Sequence, residues 1–217
     1  MYEFAFEKEY FVVHKKMEGA LYPNNLCLVP KGIDRDECGY LAEARGPKNR
    51  CPIHAAYGLL AEEDILVSKA LDLGFDLLCC RPYTKLPKSL ARAAMREFGK
   101  GTYPHERGNL YGKDFQPNDS WQRAGLHVHF SNNKIVKMFT PPSPHNPLGG
   151  YHEESIPAGI MDMPRIIREL DKRFAPEIKA SKRLPGFYEL KPYGFEYRSL
   201  PNSISVVEVA KFIKGMM

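Results

Sequence analysis

The chain has 217 residues, of which 43% are hydrophobic, 26% charged and 12% aromatic. These proportions exclude a disordered, collagen-like or coiled-coil chain and favour one folded domain over residues 1–217. The 31 basic and 26 acidic residues give a net charge of +5, and the basic residues are scattered rather than clustered. The charge therefore fits a phosphate-bearing substrate but does not indicate a nucleic-acid-binding surface.

The cysteines indicate reduced thiols rather than a disulfide framework. There are five of them, an odd number, and no Cys-x-x-Cys pair occurs. The first residues combine neither a basic start nor an apolar stretch of signal-peptide length. Nowhere does the sequence approach the run of about 18 apolar residues that a membrane-spanning helix needs. We therefore expect a cytoplasmic protein that does not enter a membrane.

Four segments alternate apolar and polar residues with the period of a β-strand. In the first, predicted over Tyr2–Val13, Glu7 and Glu9 share one face. Any one such pair is common on the wet face of an antiparallel sheet. Each of the other three strands also carries two ionisable residues at positions i and i+2: Glu43 and Arg45 in Gly39–Arg45, His127 and His129 in Gly125–Ser131, and Glu196 and Arg198 in Gly194–Leu200.

Helical spacing of apolar residues predicts four helices. They are expected at His54–Leu73, at Leu86–Phe98, from an N-cap at Asp162 with Pro164 in the first turn, and after Ser203 toward Lys214. An apolar run at 75–80 predicts a buried strand, and Gly99–Asp119 and Phe139–Tyr151 are predicted to be long loops. We therefore expect an α+β fold, in which a curved antiparallel sheet has helices packed on one face and the charged residues on the other.

The ionisable pairs together predict a metal and nucleotide site, provided that the four strands form one sheet. Glu7 and Glu9 would lie about 7 Å apart, and like charges at this distance repel unless a cation lies between them. Carboxylates with imidazole suit Mg²⁺ or Mn²⁺ better than Zn²⁺. Because Mg²⁺ usually bridges to substrate phosphates, Arg45 and Arg198 are candidates to donate to a phosphoryl group. The pattern predicts two or three metal ions on the open face.

Longer strings around these pairs resemble a known family. Glu7-Lys-Glu9, Arg123-Ala-Gly-Leu-His127-Val-His129 and Lys191-Pro-Tyr-Gly-Phe-Glu196-Tyr-Arg198-Ser-Leu-Pro-Asn202 are similar to motifs of the glutamine synthetase / glutamate–cysteine ligase superfold of carboxylate–amine ligases. They are more similar still to the phage-borne amidoligase family typified by phiEco32-like phages. The resemblance spans Glu7 to Asn202 and implies the glutamine synthetase-like catalytic fold.

The resemblance implies a role for each matching residue. Glu7, His127 and Glu196 would hold a metal ion near the phosphates of ATP. Glu9 and Glu43 would hold a second ion near the acceptor carboxylate, joined by Asp36 or Glu37 if the preceding loop contributes. His129 would contact a phosphate, and Arg198 would steady the γ-phosphate and the acyl phosphate. Arg123 and Arg183 would bind phosphate or the substrate carboxylate.

The activity implied by the resemblance is an ATP- and Mg²⁺- or Mn²⁺-dependent ligation of a carboxylate to an amine through an acyl phosphate. The carboxylate substrate and the amine substrate remain open among amino acids, peptides, polyamines and a modified DNA base, and an oligomer is compatible with the sequence. Three alternatives remain: a guanidino or small-molecule phosphotransferase on the same fold, a non-catalytic nucleotide-binding module, and a metallohydrolase. The two Glu-x-Arg pairs disfavour the last, since hydrolysis of a neutral bond does not need two arginines.

Overall fold

The computed structural model describes residues 2–14, 26–36, 39, 41–78, 84–85, 87–98, 107–112, 121–122, 124–140, 150–157 and 159–217. The strands in this part are β1 (Glu3–His14), β2 (Leu41–Arg45), β3 (Phe75–Leu78), β4 (Thr84–Lys85), β5 (Arg107–Asn109), β6 (Trp121–Gln122), β7 (Gly125–Ser131), β8 (Asn133–Thr140), β9 (Gly150–Pro157), β10 (Phe187–Lys191) and β11 (Gly194–Pro201). The helices are α1 (Pro52–Asp72), α2 (Lys88–Phe98), α3 (Gly159–Arg173), α4 (Ala175–Ala180) and α5 (Val206–Met216). None of these helices has the combination of length and apolar character that crossing a lipid bilayer demands.

Seven of the described strands form one antiparallel sheet. Its order is β2, β1, β7, β11, β10 and β5, and β3 pairs with the second half of β1. The four strands that carry the ionisable pairs are therefore neighbours, and the predicted α+β fold with a curved antiparallel sheet is confirmed. Two further ladders lie outside this sheet, one between β4 and β6 and one between β8 and β9.

One face of the sheet is apolar and is covered by helices. The even-numbered side chains of β1 point to this face, where Phe6, Tyr10 and Val12 are buried. They belong to one core with residues of four helices, including Ala55, Leu59, Ile166, Leu170, Ile178 and Val209. Lys8 also points this way, and its Nζ atom lies 3.0 Å from Oε1 of Glu63 on α1. The even and odd positions of β1 thus separate the core from the charged residues.

The opposite face is covered at one end, which corrects the prediction that helices pack on one face alone. The last third of β1 is apolar on both faces, so Phe11 and Val13 also need burial. They form a second, smaller core with Leu26, Leu41 and Ala124, and Leu90 of α2 packs against it. The charged part of this face therefore begins at Glu9, two residues before Phe11.

Several predicted boundaries differ from those observed. The prediction that Asp162 caps a helix is wrong, since α3 begins at Gly159 and contains both Asp162 and Pro164. The Asp162 carboxylate instead accepts a hydrogen bond from the hydroxyl of Tyr2 at 3.0 Å. The last helix begins at Val206, and the Ser205 side chain caps it by accepting from a backbone N–H.

Both predicted long loops contain strand residues. Part of Gly99–Asp119 forms β5, because its backbone completes the edge of the sheet beside β10. The two ends of Phe139–Tyr151 belong to β8 and β9, and residues 141–149 lie outside the described residues. In the predicted buried strand at 75–80, Phe75 and Leu77 are only half-buried, and the two cysteines that follow lie outside the described residues.

Candidate metal centre

Strand register brings the predicted metal ligands together on one face of the sheet. Residues that face each other across antiparallel strands have Cβ atoms about 5 Å apart. The facing pairs are Glu7 with Arg45, Glu9 with Glu43, Glu7 with His127, and His129 with Glu196. We call Glu7, Glu9, Glu43, His127, His129 and Glu196 the carboxylate–imidazole cluster.

His127 lies at the centre of this cluster and is 1% exposed. Its Nδ1 atom is 3.0 Å from Oε1 of Glu196 and 3.4 Å from Oε1 of Glu7. Its Nε2 atom is 3.7 Å from Oε2 of Glu9. Two strands, β1 and β11, therefore direct three carboxylates at the same imidazole ring.

Gly125 allows this close approach. Its backbone N–H donates to Oε2 of Glu9 at 2.7 Å, and the side chain of Asn202 donates to the Glu9 carbonyl at 2.9 Å. A Cβ atom on Gly125 would lie 2.7 Å from Nη2 of Arg183 and 2.8 Å from Nε2 of His127. Only glycine fits here without a shift of the site, which explains its place two residues before His127.

Within the part of the chain that the structure describes, two groups of side chains could each hold a metal ion. Glu7, Glu43 and His127 form one, and Glu7, His129 and Glu196 form the other, with the ligand atoms of each group within 4.8 Å of one another. Carboxylate oxygens with a single imidazole are a donor set that fits Mg²⁺ or Mn²⁺. Glu7 belongs to both groups, so one carboxylate would bridge or alternate between two ions.

The carboxylates are too close together to be charged at once without a cation. Burial and then the adjacent Glu7 carboxylate raise the pKa of Glu43 to about 11. Burial also favours a high pKa for Glu7, but hydrogen bonds with Glu43, His127 and His129 hold this pKa well below its usual range. Burial and Arg198 lower the pKa of His127, but the surrounding carboxylates raise it further than this, so the net shift is upward. Protons therefore occupy positions that a bound cation would take.

Arg198 projects into the cluster from a β-bulge. The pairing of β11 with β7 shifts register between Tyr197 and Leu200, and a bulge of this kind redirects side chains. The Arg198 guanidinium hydrogen-bonds to Glu196, lies 3.3 Å from Oε2 of Glu189, and lies 4.0 Å from Oε1 of Glu9. Burial lowers the pKa of Arg198, but the surrounding carboxylates raise it above its usual range, so the guanidinium keeps its charge.

Arg45 borders the cluster on the opposite side and is much more accessible. Its side chain is 54% exposed, bonds to Glu43, and places Nε 3.7 Å from Oε2 of Glu7. One arginine is thus fixed inside the site, and the other stands at its rim.

His129 is oriented by a residue that the sequence reasoning missed. Its Nδ1 atom lies 2.8 Å from the hydroxyl of Tyr193, and its Nε2 atom lies 3.4 Å from Oε2 of Glu7. Burial and then nearby carboxylates raise the pKa of Tyr193, so the phenol keeps its proton. Tyr193 stands in the family-like string that ends at Asn202, where only the ionisable residues were considered.

The remaining predicted residues occupy other positions. Arg183 donates to the backbone carbonyls of Arg198 at 2.6 Å and of Ala124 at 3.2 Å, so it joins β11 to β7 beneath the cluster. The Asp36 carboxylate accepts from the backbone N–H groups of Gly39 and Leu41, so it stabilises the turn before β2 and does not extend the cluster. Arg123 and Glu37 lie outside the described residues.

Three ionisable residues beside the cluster were not predicted. Glu189 on β10 is 2% exposed, and Nε of Arg107 lies 2.8 Å from its Oε2 atom. Lys191 bonds to Glu189, and its Nζ atom lies 3.1 Å from Oε2 of Glu196. Glu189 and Lys191 form a fifth pair at i and i+2, so the rule applied to the other strands would have found them. Arg107 gave no such signal, because it stood in a predicted loop.

Comparisons with known proteins do not assign the chain to a family. No family model, curated protein or solved structure matches it. The geometry alone therefore bears on function. A buried group of carboxylates and imidazoles beside two arginines is suited to binding divalent cations together with a polyphosphate.

Proposed function

We propose that the protein is an ATP-dependent carboxylate–amine ligase, with the glutamine synthetase-like catalytic fold and in the manner of the phage amidoligases that its motifs resemble. The observation that carries this proposal is the pair of carboxylate–imidazole groups that share Glu7 beside Arg198. A purely structural role does not explain these buried charges, because buried ion pairs contribute little to the stability of a fold or reduce it. The four carboxylates of the carboxylate–imidazole cluster are better accounted for by a cationic ligand.

The proposed reaction has two steps. An oxygen of the substrate carboxylate attacks the γ-phosphorus of ATP, the bond from phosphorus to the β,γ-bridging oxygen breaks, and ADP leaves. The amine nitrogen then attacks the acyl carbon, inorganic phosphate leaves with that carboxylate oxygen, and the nitrogen loses a proton. Divalent cations at the site would neutralise phosphate charge during both steps. The protein needs no nucleophile of its own.

The side chains would divide the work by position. Glu7, Glu43, His127, His129 and Glu196 would hold the cations, with Glu9 beside them. Arg198, held inside the site, would donate to the γ-phosphate and to the acyl phosphate. Arg45 at the exposed rim would meet an incoming anionic group. We expect the reaction in the cytoplasm, where ATP and Mg²⁺ are present and the free thiols of Cys27 and Cys51 stay reduced.

The proposal is tested with a matrix of carboxylates and amines in the presence of ATP and Mg²⁺. We expect ADP release that requires one member of each set, with an amide as the product by mass spectrometry. When the carboxylate carries a heavy-oxygen label, one labelled oxygen should appear in the released phosphate. Removal of the metal with EDTA is the control and should abolish turnover.

Two results would contradict the proposal. ADP release that needs no amine and leaves a stable phosphorylated product would indicate a phosphotransferase instead. A protein that binds MgATP but turns over no combination, including peptides and polyamines, would indicate a nucleotide-binding module.

A further inference from the structure

Glu189 is a buried carboxylate next to the proposed metal ligands but outside both groups of them. It lies on β10, faces Glu196 on β11, and is 2% exposed. Among the described residues, the two candidate metal-binding groups are built from other side chains. A carboxylate this deeply buried is tolerated only with strong compensation.

That compensation comes from three cations. Arg107 approaches from β5 at 2.8 Å, Lys191 bonds from the same strand, and Nη1 of Arg198 lies 3.3 Å away. These contacts, opposed by burial, lower the pKa of Glu189, so it is an anion. Lys191 also contacts Glu196 of the carboxylate–imidazole cluster, and Arg198 contacts both Glu196 and Glu9 there.

Arg198 therefore has partners of two kinds. Glu196 is a proposed metal ligand, and a divalent ion bound there would compete with the guanidinium for its carboxylate oxygens, whereas Glu9 lies beside the ligands, 4.0 Å from the guanidinium. Glu189 has no such competitor and would keep its contact. A guanidinium carries five N–H donors in a planar fork, so one edge can stay on Glu189 while other donors are free for a phosphate.

We propose that Glu189 is a positioning residue that holds the Arg198 guanidinium toward the γ-phosphate of ATP once a cation occupies Glu196. This inference rests on the proposed function, since it needs a nucleotide at the site. Through Glu189, strand β10, which the sequence did not predict, has a role in the recognition of the phosphate. Two tasks are thereby separate: Glu189 orients a donor, and the cluster binds the metal.

The test compares metal binding and nucleotide binding in Glu189→Gln, which keeps the shape of the side chain and removes its charge. We expect Mn²⁺ affinity, measured by electron paramagnetic resonance, to stay within about twofold of wild type, since the ligands are untouched. Affinity for the non-hydrolysable analogue AMPPNP with Mn²⁺ should fall by about 10-fold or more, the effect of a lost charged hydrogen bond. Affinity for ADP should change much less, because ADP lacks the γ-phosphate.

A double-mutant cycle with Arg198→Lys separates a positioning role from a merely structural one. If Glu189 acts through Arg198, then Glu189→Gln should cost little further AMPPNP affinity in the Arg198→Lys background. The matched control is Glu63→Gln, which breaks the partly buried pair with Lys8 on the other face of the sheet. It should leave AMPPNP affinity unchanged. Glu189→Asp, which keeps the charge but shortens the side chain, serves if the glutamine variant does not fold, and should lose affinity for AMPPNP selectively.

The outcomes distinguish this inference from the function on which it rests. Wild-type affinity for AMPPNP in Glu189→Gln, or equal losses for AMPPNP and ADP, would overturn the positioning role and leave the ligase proposal standing. Additive effects in the cycle would overturn it as well. Failure of the wild-type protein to bind any nucleotide in the presence of Mn²⁺ would instead refute the proposed function itself, before any variant is compared.

Discussion

The two faces of the sheet follow opposite physical rules although they alternate along the same strands. On the helix-covered face, Phe6 and Val128 are buried by close packing with other apolar side chains. On the other face, Glu196 and His127 are buried just as deeply, but among charges. Apolar burial stabilises a fold in proportion to the area removed from water, whereas buried charges are stable only with partners.

This difference supports the proposal that one face stabilises the fold and the other binds a ligand. A sheet that needed only stability would carry apolar or exposed polar residues in place of a shared set of buried carboxylates. Glu43, whose pKa is raised to about 11 by burial and then by Glu7, illustrates the point. A substitution on the charged face should therefore reduce activity far more than it changes the free energy of unfolding.

The largest expected effect is on the charged face, in Glu7→Gln. Because Glu7 belongs to both candidate metal groups, its loss should reduce metal-dependent ADP release by about 10⁴-fold, or about 5 kcal/mol of transition-state stabilisation. The free energy of unfolding in metal-free buffer should fall by only about 1 to 3 kcal/mol, because the hydrogen bonds that hold the pKa of Glu7 low also stabilise its anion in the folded state. ADP assays and urea unfolding measure the two quantities. Glu3→Gln, on the same strand but 45% exposed, is the control; a Glu7→Gln protein that turns over normally would refute the site.

The converse experiment is Phe130→Ala on the helix-covered face. Phe130 is fully buried, and its ring stacks on Phe195 with centroids 4.7 Å apart. Its truncation should lower the free energy of unfolding by about 3 to 5 kcal/mol. Below its melting temperature the folded protein should retain wild-type metal affinity. If metal affinity fell as far as stability did, the two faces would not be separate in function.

The helix-covered face could be predicted from the sequence because each of its strands alternates with period two. The same alternation placed Glu7, His127 and Glu196 on one face, and the assumption that their strands share a sheet proved correct. The prediction from alternation failed at Phe11 and Val13. There β1 is apolar on both faces, and α2 covers the face that the helix-covered core leaves open. A local pattern does not reveal which distant element will cover an apolar surface.

The parts of the site that were missed depend on tertiary contacts. Glu189 stands in a short strand, β10, whose outer partner β5 comes from a distant part of the chain and brings Arg107 to it. Arg183 was expected to contact a ligand, but its donors to the carbonyls of Ala124 and Arg198 appear only when β7 and β11 are adjacent. The residue types identify side chains that could bind a metal ion or a phosphate, but the pairing of the strands decides which groups these side chains contact.

A smaller effect, on both the free energy of unfolding and the affinity for Mn²⁺, is expected in Gly125→Ala. The added Cβ atom would meet Nη2 of Arg183 and Nε2 of His127 at less than 3 Å, so both side chains must move. We expect a loss of about 1 to 3 kcal/mol in unfolding free energy, the usual cost of overpacking, together with weakened Mn²⁺ binding. Gly215→Ala, where the added atom has open space, is the control. Unchanged Mn²⁺ affinity in Gly125→Ala would mean that His127 does not bind the metal.

The smallest expected effect concerns Asp171, a buried carboxylate on the helix side that accepts hydrogen bonds from Tyr197 at 2.6 Å and Tyr111 at 2.9 Å. Burial raises its pKa above the usual value although these hydrogen bonds oppose the shift. Between the unfolded value of about 3.9 and the raised folded value, the folded state holds more protons than the unfolded state. Wild-type stability relative to Asp171→Asn should therefore fall as pH rises through this window and then level off. Urea unfolding of both proteins from acidic to neutral pH measures this difference in stability. A difference that rose with pH would show that the hydrogen bonds of Asp171 outweigh its burial, as they do for Glu7 on the charged face.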